Sequence, residues 1–503
     1  MVGQKSSDRF IRFINLHKNR IFFILIFFIG LFLRILFIDS REITYDDAFS
    51  YFLSLQSPST IIAGTAADTM PPLYYFLLHF WMEISHSLWF LRLLNVIINL
   101  ATLIFVYLLA KQFFNENVAL ISAFFFSISP FQIYHSQELR MYSLLLFGQV
   151  GFFYSVLKVV LFESNKQKIW IIFTTIFGTI AMYSHNLGIV GLLSVNLILI
   201  FRRNWKIIRN LILIQILVVI FSLPWFYFLP QQINKVQSAF WTQSPGLLEV
   251  IQAFLTLFSF LPMPILSIAI VLVIQLQILV YLVLLIFRKK ELSKILLFSF
   301  FLAPPFILMI LSYIVYPVFV PRIFIVSSIW WFFLLGSLVI ETWKKGPGRI
   351  IFVLFTLACV ISLVYFYQFN SFPRSQFKKL ATTIQTIESH SIPVIHDNKL
   401  SFFPTMYYYE TDFQYYLQDE PGSPNDTLAK DSQLAIGYLE LNNLDDFIDE
   451  EEIIFVVFQD AITEYEIMNK KHPVLEELEL LFDNNYQIFN IGDIKLFNFG
   501  SIK

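Results

Sequence analysis

The 503-residue sequence predicts an α-helical multi-pass membrane protein with about eleven transmembrane helices, outer interfacial helices and a small C-terminal α/β extracytoplasmic domain. Three observations predict it. Mean hydropathy is +0.67 and only 14% of residues are charged, a balance foreign to a soluble chain of this size. Apolar runs of about 20 residues, the length that crosses a bilayer, recur between residues 21 and 369. The charge then changes sign. Residues 1–370 hold 26 Lys/Arg and 13 Asp/Glu, and residues 371–503 hold 9 and 23. A basic membrane domain (1–370) is thus joined to an acidic aqueous one (371–503).

The expected spans are 21–38, 89–110, 117–133, 138–159, 169–184, 186–202, 207–229, 265–287, 294–316, 321–341 and 349–369. The first follows a basic stretch (Arg9, Arg12, Lys18, Arg20) without a small-residue cleavage site, so it reads as a retained signal-anchor. With the N-terminus in the cytoplasm, the inner connections hold about twenty Lys/Arg. The outer ones hold about five: Arg41, Arg92, Arg140, Lys235 and Arg322. The positive-inside rule therefore puts the C-terminal domain outside a cell membrane. The single cysteine, Cys359, lies in an apolar span, so no disulfide can form within the chain. A net charge of −1 leaves no footprint for nucleic acid.

The longest early connection, 39–88, carries helical periodicity near 45–56 and 72–85. Pro71 and Pro72 suit a first helical turn, and Trp81 and Trp89 suit a membrane boundary. Both stretches read as helices lying on the outer leaflet. A further interfacial helix is expected within 230–264. Beyond 371, "IPVIHD" and "EEIIFVVF" read as buried strands, 375–389 and 460–470 as helices, and "PGSPNDT" as a loop.

Three polar patches interrupt the apolar chain: "ITYDDAFSYF", "DTMPPLYYFLLHFW" and "SPFQIYHSQELRMYSLLLFG". Charges at a membrane edge are costly, which makes them functional candidates. Asp46 and Asp47 open the first outer helix. One suits a general base, but an Asp there equally suits a helix cap beside the positive dipole end. Neighbouring helix positions diverge by about 100°, so only one of the two can serve a given atom. Arg140 is expected in the first turn of the fourth span, with Ser136 as its N-cap. There it suits a phosphate, or alternatively a headgroup or Glu138. Arg322, after Pro321, repeats the arrangement, and Arg34 adds a third cation at the same level. His185 in "YSHNLG" suits a hydrogen-bonding group, structural or functional. Asp68 suits an acceptor contact or a turn. The spacing offers no zinc constellation and no phosphate-cradling glycine loop.

The ordered set of these patches resembles the multi-pass C-type glycosyltransferases, in the bacterial branch related to protein O-mannosyltransferases and aminoarabinose transferases. The resemblance is good over about residues 20–240 and weak over 300–340. "YDDAFSYF", "DTMPPLYY", "SPFQIYHSQELRMY", "YSHNLG", "LPWFYFLPQQ" and "VPRIF" follow in the family's order. It implies an inverting transfer from a polyprenyl-monophosphate sugar to a lipid, glycan or protein hydroxyl outside the membrane. Asp46 would be the base, Arg140 would hold the phosphate and Arg322 would be a second contact. Tyr134, Glu138, Asp68, His185 and Arg34 join the implied substrate site. Two departures stand out. The family usually has Asp-Glu where this chain has Asp46-Asp47, and a histidine often precedes the Pro-Pro pair where this chain has Met70. No cofactor is expected, and a divalent metal is the less favoured variant. A transporter or flippase of lipid-linked sugars is the alternative. It would place charges near the bilayer midplane and repeat its halves, and neither pattern is visible.

Overall fold

A computed structural model describes residues 2–161, 166–201, 204–238, 244–259, 263–289, 291–368, 374–387, 392–419 and 426–500. The side chains of 2–17, 201 and 236–238 lie outside that description, as do parts of the expected loop "PGSPNDT" and of the connection after Ser238. The chain packs as two compact units. The first comprises Met1–Leu36, Arg92–Pro230 and Thr242–Tyr367. The second comprises Phe37–Leu91, Gln231–Trp241 and Gln368–Lys503. The first long connection therefore clusters with the C-terminal domain and not with the spans.

The first unit is helical. Among the described residues, seven helices are long and apolar enough to cross a membrane, or eight if a bent pair counts as one span. The expected spans 21–38 and 169–184 are continuous helices as well, and two others are interrupted. The expected span 117–133 breaks between Glu116–Ile128 and Pro130–Ser136, which meet at 58°. Proline has no amide hydrogen and collides with the preceding turn, which favours a break at Pro130. Ser129 instead caps the second piece, accepting from the Gln132 amide at 3.4 Å. The expected span 186–202 divides into Gly188–Leu193, a 3-10 turn Ser194–Leu197, and Ile198–Phe201.

Breaking a helix in an apolar interior strands its last carbonyls. Arg34 satisfies them. Its guanidinium donates to Ser127 O at 3.0 Å, Phe126 O at 3.3 Å, Gly30 O at 3.0 Å and Asn99 Oδ1 at 2.9 Å. Arg34 is wholly buried. One residue of the first helix (Val2–Ile35) thus holds the bend in another.

The second unit is built on a five-stranded sheet of order β2-β1-β3-β5-β4, with β1 Val394–His396, β2 Gln414–Tyr416, β3 Ile453–Phe458, β4 Tyr486–Ile491 and β5 Ile494–Phe499. β1 runs parallel to β2 and β3, and β5 pairs antiparallel with β3 and β4. Every residue of β3 is buried, as a continuous apolar run requires of a central strand covered on both faces. Helices Phe377–Ile387, Gln459–Ile467 and Pro473–Leu481 supply the cover. Gly492, at φ 63°, turns the β4–β5 hairpin in two residues.

The first long connection folds into three ten-residue helices, Tyr45–Ser54, Pro58–Ala67 and Leu73–Met82. The third leaves Leu77 and Phe80 exposed, as an interfacial helix would. The first buries Ala48, Phe49, Phe52 and Leu53 within the second unit instead of offering an apolar face.

Candidate active site

The candidate residues fall into two groups, one in each unit. The second unit holds the acids. Thr44 is the N-cap of helix Tyr45–Ser54, its hydroxyl accepting from the Asp47 amide at 3.2 Å. Asp46 is therefore not the cap, and both acids lie in the first turn, where the helix dipole favours negative charge. They diverge as adjacent positions must. Asp47 is wholly buried, and Asp46 is partly exposed. A carboxylate that takes a proton from an incoming hydroxyl has to be reachable, and Asp46 is the reachable one.

Asp68 ends helix Pro58–Ala67 as its C-cap. Its carboxylate is 3.6 Å from Lys235 Nζ. Lys235 also donates to Ala67 O at 3.3 Å, and Gln232 donates to Thr65 O at 3.0 Å. Two side chains of the further interfacial helix expected within 230–264 (Leu229–Ser238) thus close the C-terminal carbonyls of another helix. Asp68 pairs with the lysine that makes one of those contacts.

The first unit holds the cations. Helix Pro130–Ser136 ends at Ser136, whose hydroxyl turns back to Ile133 O at 2.7 Å. Ser136 does not cap the fourth span. That helix starts at Tyr142 with Met141 as N-cap, and Arg140 stands in the turn before it. The turn is tied down on every side. Asn95 donates its amide to the carbonyls of Glu138 and Arg140. Gln137 donates to Arg34 O at 2.8 Å, and Ser143 donates to His135 O at 3.0 Å. The Glu138 carboxylate meets His135 Nδ1 at 2.8 Å. Tyr134 lies edge-on to the His135 and Phe366 rings, 5.1 and 5.9 Å away. Arg140 is held 6% exposed.

Arg322 stands in the 3-10 turn Pro321–Phe324, which precedes helix Val326–Thr342. Its guanidinium lies 5.4 Å from the centre of the Tyr142 ring, within cation–π range. The centre of the His185 ring lies 6.2 Å from that of Tyr142. His185 ends helix Gln167–Ser184 and lies in the turn before the next piece. Its Nδ1 accepts the Leu187 amide at 3.1 Å, so the neutral ring carries its proton on Nε2. Burial, and then the positive fields of Arg322 and Arg140, push its pKa down to about 3. Guanidiniums and a neutral N–H donor are the groups that can hold an anion such as a phosphate.

Tyr142 and Asn95 escaped the sequence reading. Arg92, Asn95 and Asn99 recur at three- and four-residue spacing along an otherwise apolar helix, all wholly buried. A polar stripe of that period is the signal that was available. Arg34, expected beside the anion, directs its hydrogen bonds to backbone carbonyls at the bend and to Asn99. Among the described residues, no group of three or more His, Cys, Asp or Glu could hold a metal ion.

Residues 69–228 match the family described as dolichyl-phosphate-mannose-protein mannosyltransferase. No curated protein matches the chain. Among solved structures, the chain resembles ArnT from Cupriavidus metallidurans in the apo state, with a TM-score of 0.62 at 11% identity over 94% of this chain and 97% of that one. The same protein bound to undecaprenyl phosphate gives 0.61 at 10% identity with the same coverage. The archaeal oligosaccharyltransferase AglB from Archaeoglobus fulgidus, in complex with an inhibitory peptide and a dolichol-phosphate, gives 0.53 at 11% identity over 96% and 74%. The chain has the fold of the C-type glycosyltransferases.

Proposed function

We propose that this protein is a cell-membrane glycosyltransferase that moves a sugar from a polyprenyl-monophosphate donor to an acceptor hydroxyl outside the membrane, with inversion. The observation that carries the reading is the group of buried Arg140, half-buried Arg322 and buried, neutral His185, a candidate cradle for a phosphate among apolar spans. A soluble nucleotide-sugar has no need of such a place. A lipid phosphate does, because its chain stays in hydrocarbon while its headgroup must meet cations. The ArnT structure with undecaprenyl phosphate and the AglB structure with dolichol-phosphate support a lipid-phosphate ligand for this fold.

In this reading, Asp46 takes the proton of the acceptor hydroxyl as its oxygen attacks the anomeric carbon. The bond from that carbon to the phosphate oxygen breaks, and its electron pair leaves on the phosphate. The leaving group gains negative charge at the transition state. Arg140 and Arg322 neutralise that charge, and His185 Nε2–H donates to it, so they bind the transition state more tightly than the ground state. Asp47, buried behind the same turn, stays structural.

The test is extraction of lipids from cells lacking the protein. A polyprenyl-phosphate sugar should accumulate and should disappear when the wild-type chain is restored. A lipid fraction unchanged by deletion refutes the transferase.

A further inference from the structure

Helix Tyr45–Ser54 has ten residues, too few to hold in water by itself, since helices shorter than about 12 residues are marginal even with favourable sequences. Its place is set by what covers it, and the cover comes from the far end of the chain. Phe403, on helix Lys399–Tyr408, is wholly buried, with its ring 5.6 Å from Tyr45 and 6.0 Å from Phe52. Phe52 also meets Tyr438 at 5.3 Å, and Tyr438 meets Phe402 at 5.5 Å. The entry to the acid helix is fastened to the same domain. The Ile43 amide donates to the Tyr408 hydroxyl at 3.1 Å, and the Lys378 amide donates to the Glu42 carboxylate at 2.5 Å. The exit is fastened too. Ser432 donates to Gly64 O at 3.2 Å, and a Cβ on Gly64 would come within 2.6 Å of Leu53 and 3.0 Å of Ala435.

We propose that the C-terminal domain is the mount of the acid helix and that Phe403 is a positioning residue for the Asp46 carboxylate. Phe403 touches Tyr45, the residue before Asp46, and Phe52, two turns further along the same helix. It therefore controls both the tilt and the depth of the first turn. This inference rests on Asp46 being the base, and it assigns the domain a part in turnover that is separate from any binding of the acceptor.

The experiment uses the full chain, expressed in cells lacking the native protein. Transfer is followed with the lipid-linked sugar extracted from the deletion cells, and donor-site integrity with undecaprenyl phosphate as the binding probe. Phe403→Ala should lower turnover by about 100-fold, the loss that follows a displacement of about 1 Å at a reacting group. Undecaprenyl phosphate affinity should stay within about twofold, because the cradle is built from other residues. Phe403→Leu, which refills most of the volume, should recover most of the turnover. Phe482→Ala, which empties a site beside Phe499 on the opposite face of the sheet, should leave turnover near wild type. Wild-type turnover in Phe403→Ala overturns the mount, as does an equal loss in Phe482→Ala. Parallel loss of undecaprenyl phosphate binding overturns it as well. Asp46→Asn in the same assay separates the two ideas: if it turns over normally, the base assignment itself has failed.

Discussion

Acidifying the protein from pH 7.5 to pH 5 should destabilise it through His185, and the size of the effect follows from where the ring lies. His185 is buried beside two guanidiniums, and its pKa falls from 6.5 to about 3. The folded state therefore holds the ring neutral, while the unfolded chain protonates it below pH 6.5. The stabilising contribution is fully present above pH 6.5 and is lost progressively as pH falls toward 3. At about 1.4 kcal/mol per pH unit, the 1.5 units between 6.5 and 5 remove about 2 kcal/mol. The assay is thermal unfolding of the purified chain at both pH values, for wild type and His185→Gln. The glutamine keeps an N–H donor but cannot titrate, so its loss between the two pH values should be smaller by that amount. Undecaprenyl phosphate should shrink the wild-type loss, because an anion between the arginines offsets the field that keeps the imidazole neutral. An identical pH response in wild type and His185→Gln would show that His185 is not held between those charges.

Asp46→Asn should reduce sugar transfer by roughly 100- to 10,000-fold, the range of a lost general base, with normal protein levels in the membrane. Arg140→Ala should weaken undecaprenyl phosphate binding by about 1.5–3 kcal/mol, the worth of a charged hydrogen bond, or roughly 10- to 100-fold in Kd. Arg140→Lys should recover part of that affinity, and equal binding by all three proteins would remove the arginine from the phosphate site. Arg34→Leu should lower the unfolding temperature sharply. It strands the Ser127 carbonyl in an apolar interior, at a cost of about 1–3 kcal/mol, and leaves the Phe126 carbonyl only the Ser129 amide.

Local patterns carried the sequence reading far. β3 was legible because "IIFVVF" is a central strand buried on both faces, and β1 because its short apolar run ends at His396, before Asp397. β4 and β5 were not. Gln487 and Asn490 are exposed, and Lys495 and Asn498 interrupt β5, so the hairpin shows no clean alternation. Thr44 and Asp46 are both good capping residues, and only backbone geometry assigns the cap to Thr44. Pro130 announced a break, but hydropathy sums across it, and Arg34 as the donor at the bend pairs positions more than ninety residues apart. The same limit hid the companion of the acid helix. Nothing near residue 45 says that its cover is Phe403, because that contact depends on tertiary folding and not on period or propensity.

The loop–tail unit is assembled from three separated stretches of chain, and this imposes an order on its making. The helix with Asp46 leaves the ribosome long before the aromatic residues that enclose it. At roughly 5–20 residues per second, the interval between residue 54 and residue 408 is about 20–70 s. Throughout that time Phe49 and Phe52 have no native neighbours on the C-terminal side, so the newborn segment needs the bilayer surface or a chaperone to shelter it. In the proposed mechanism, the carboxylate could acquire its working position only after translation has passed the last crossing, so the unfinished polypeptide would lack its mounted base until its final minute of synthesis.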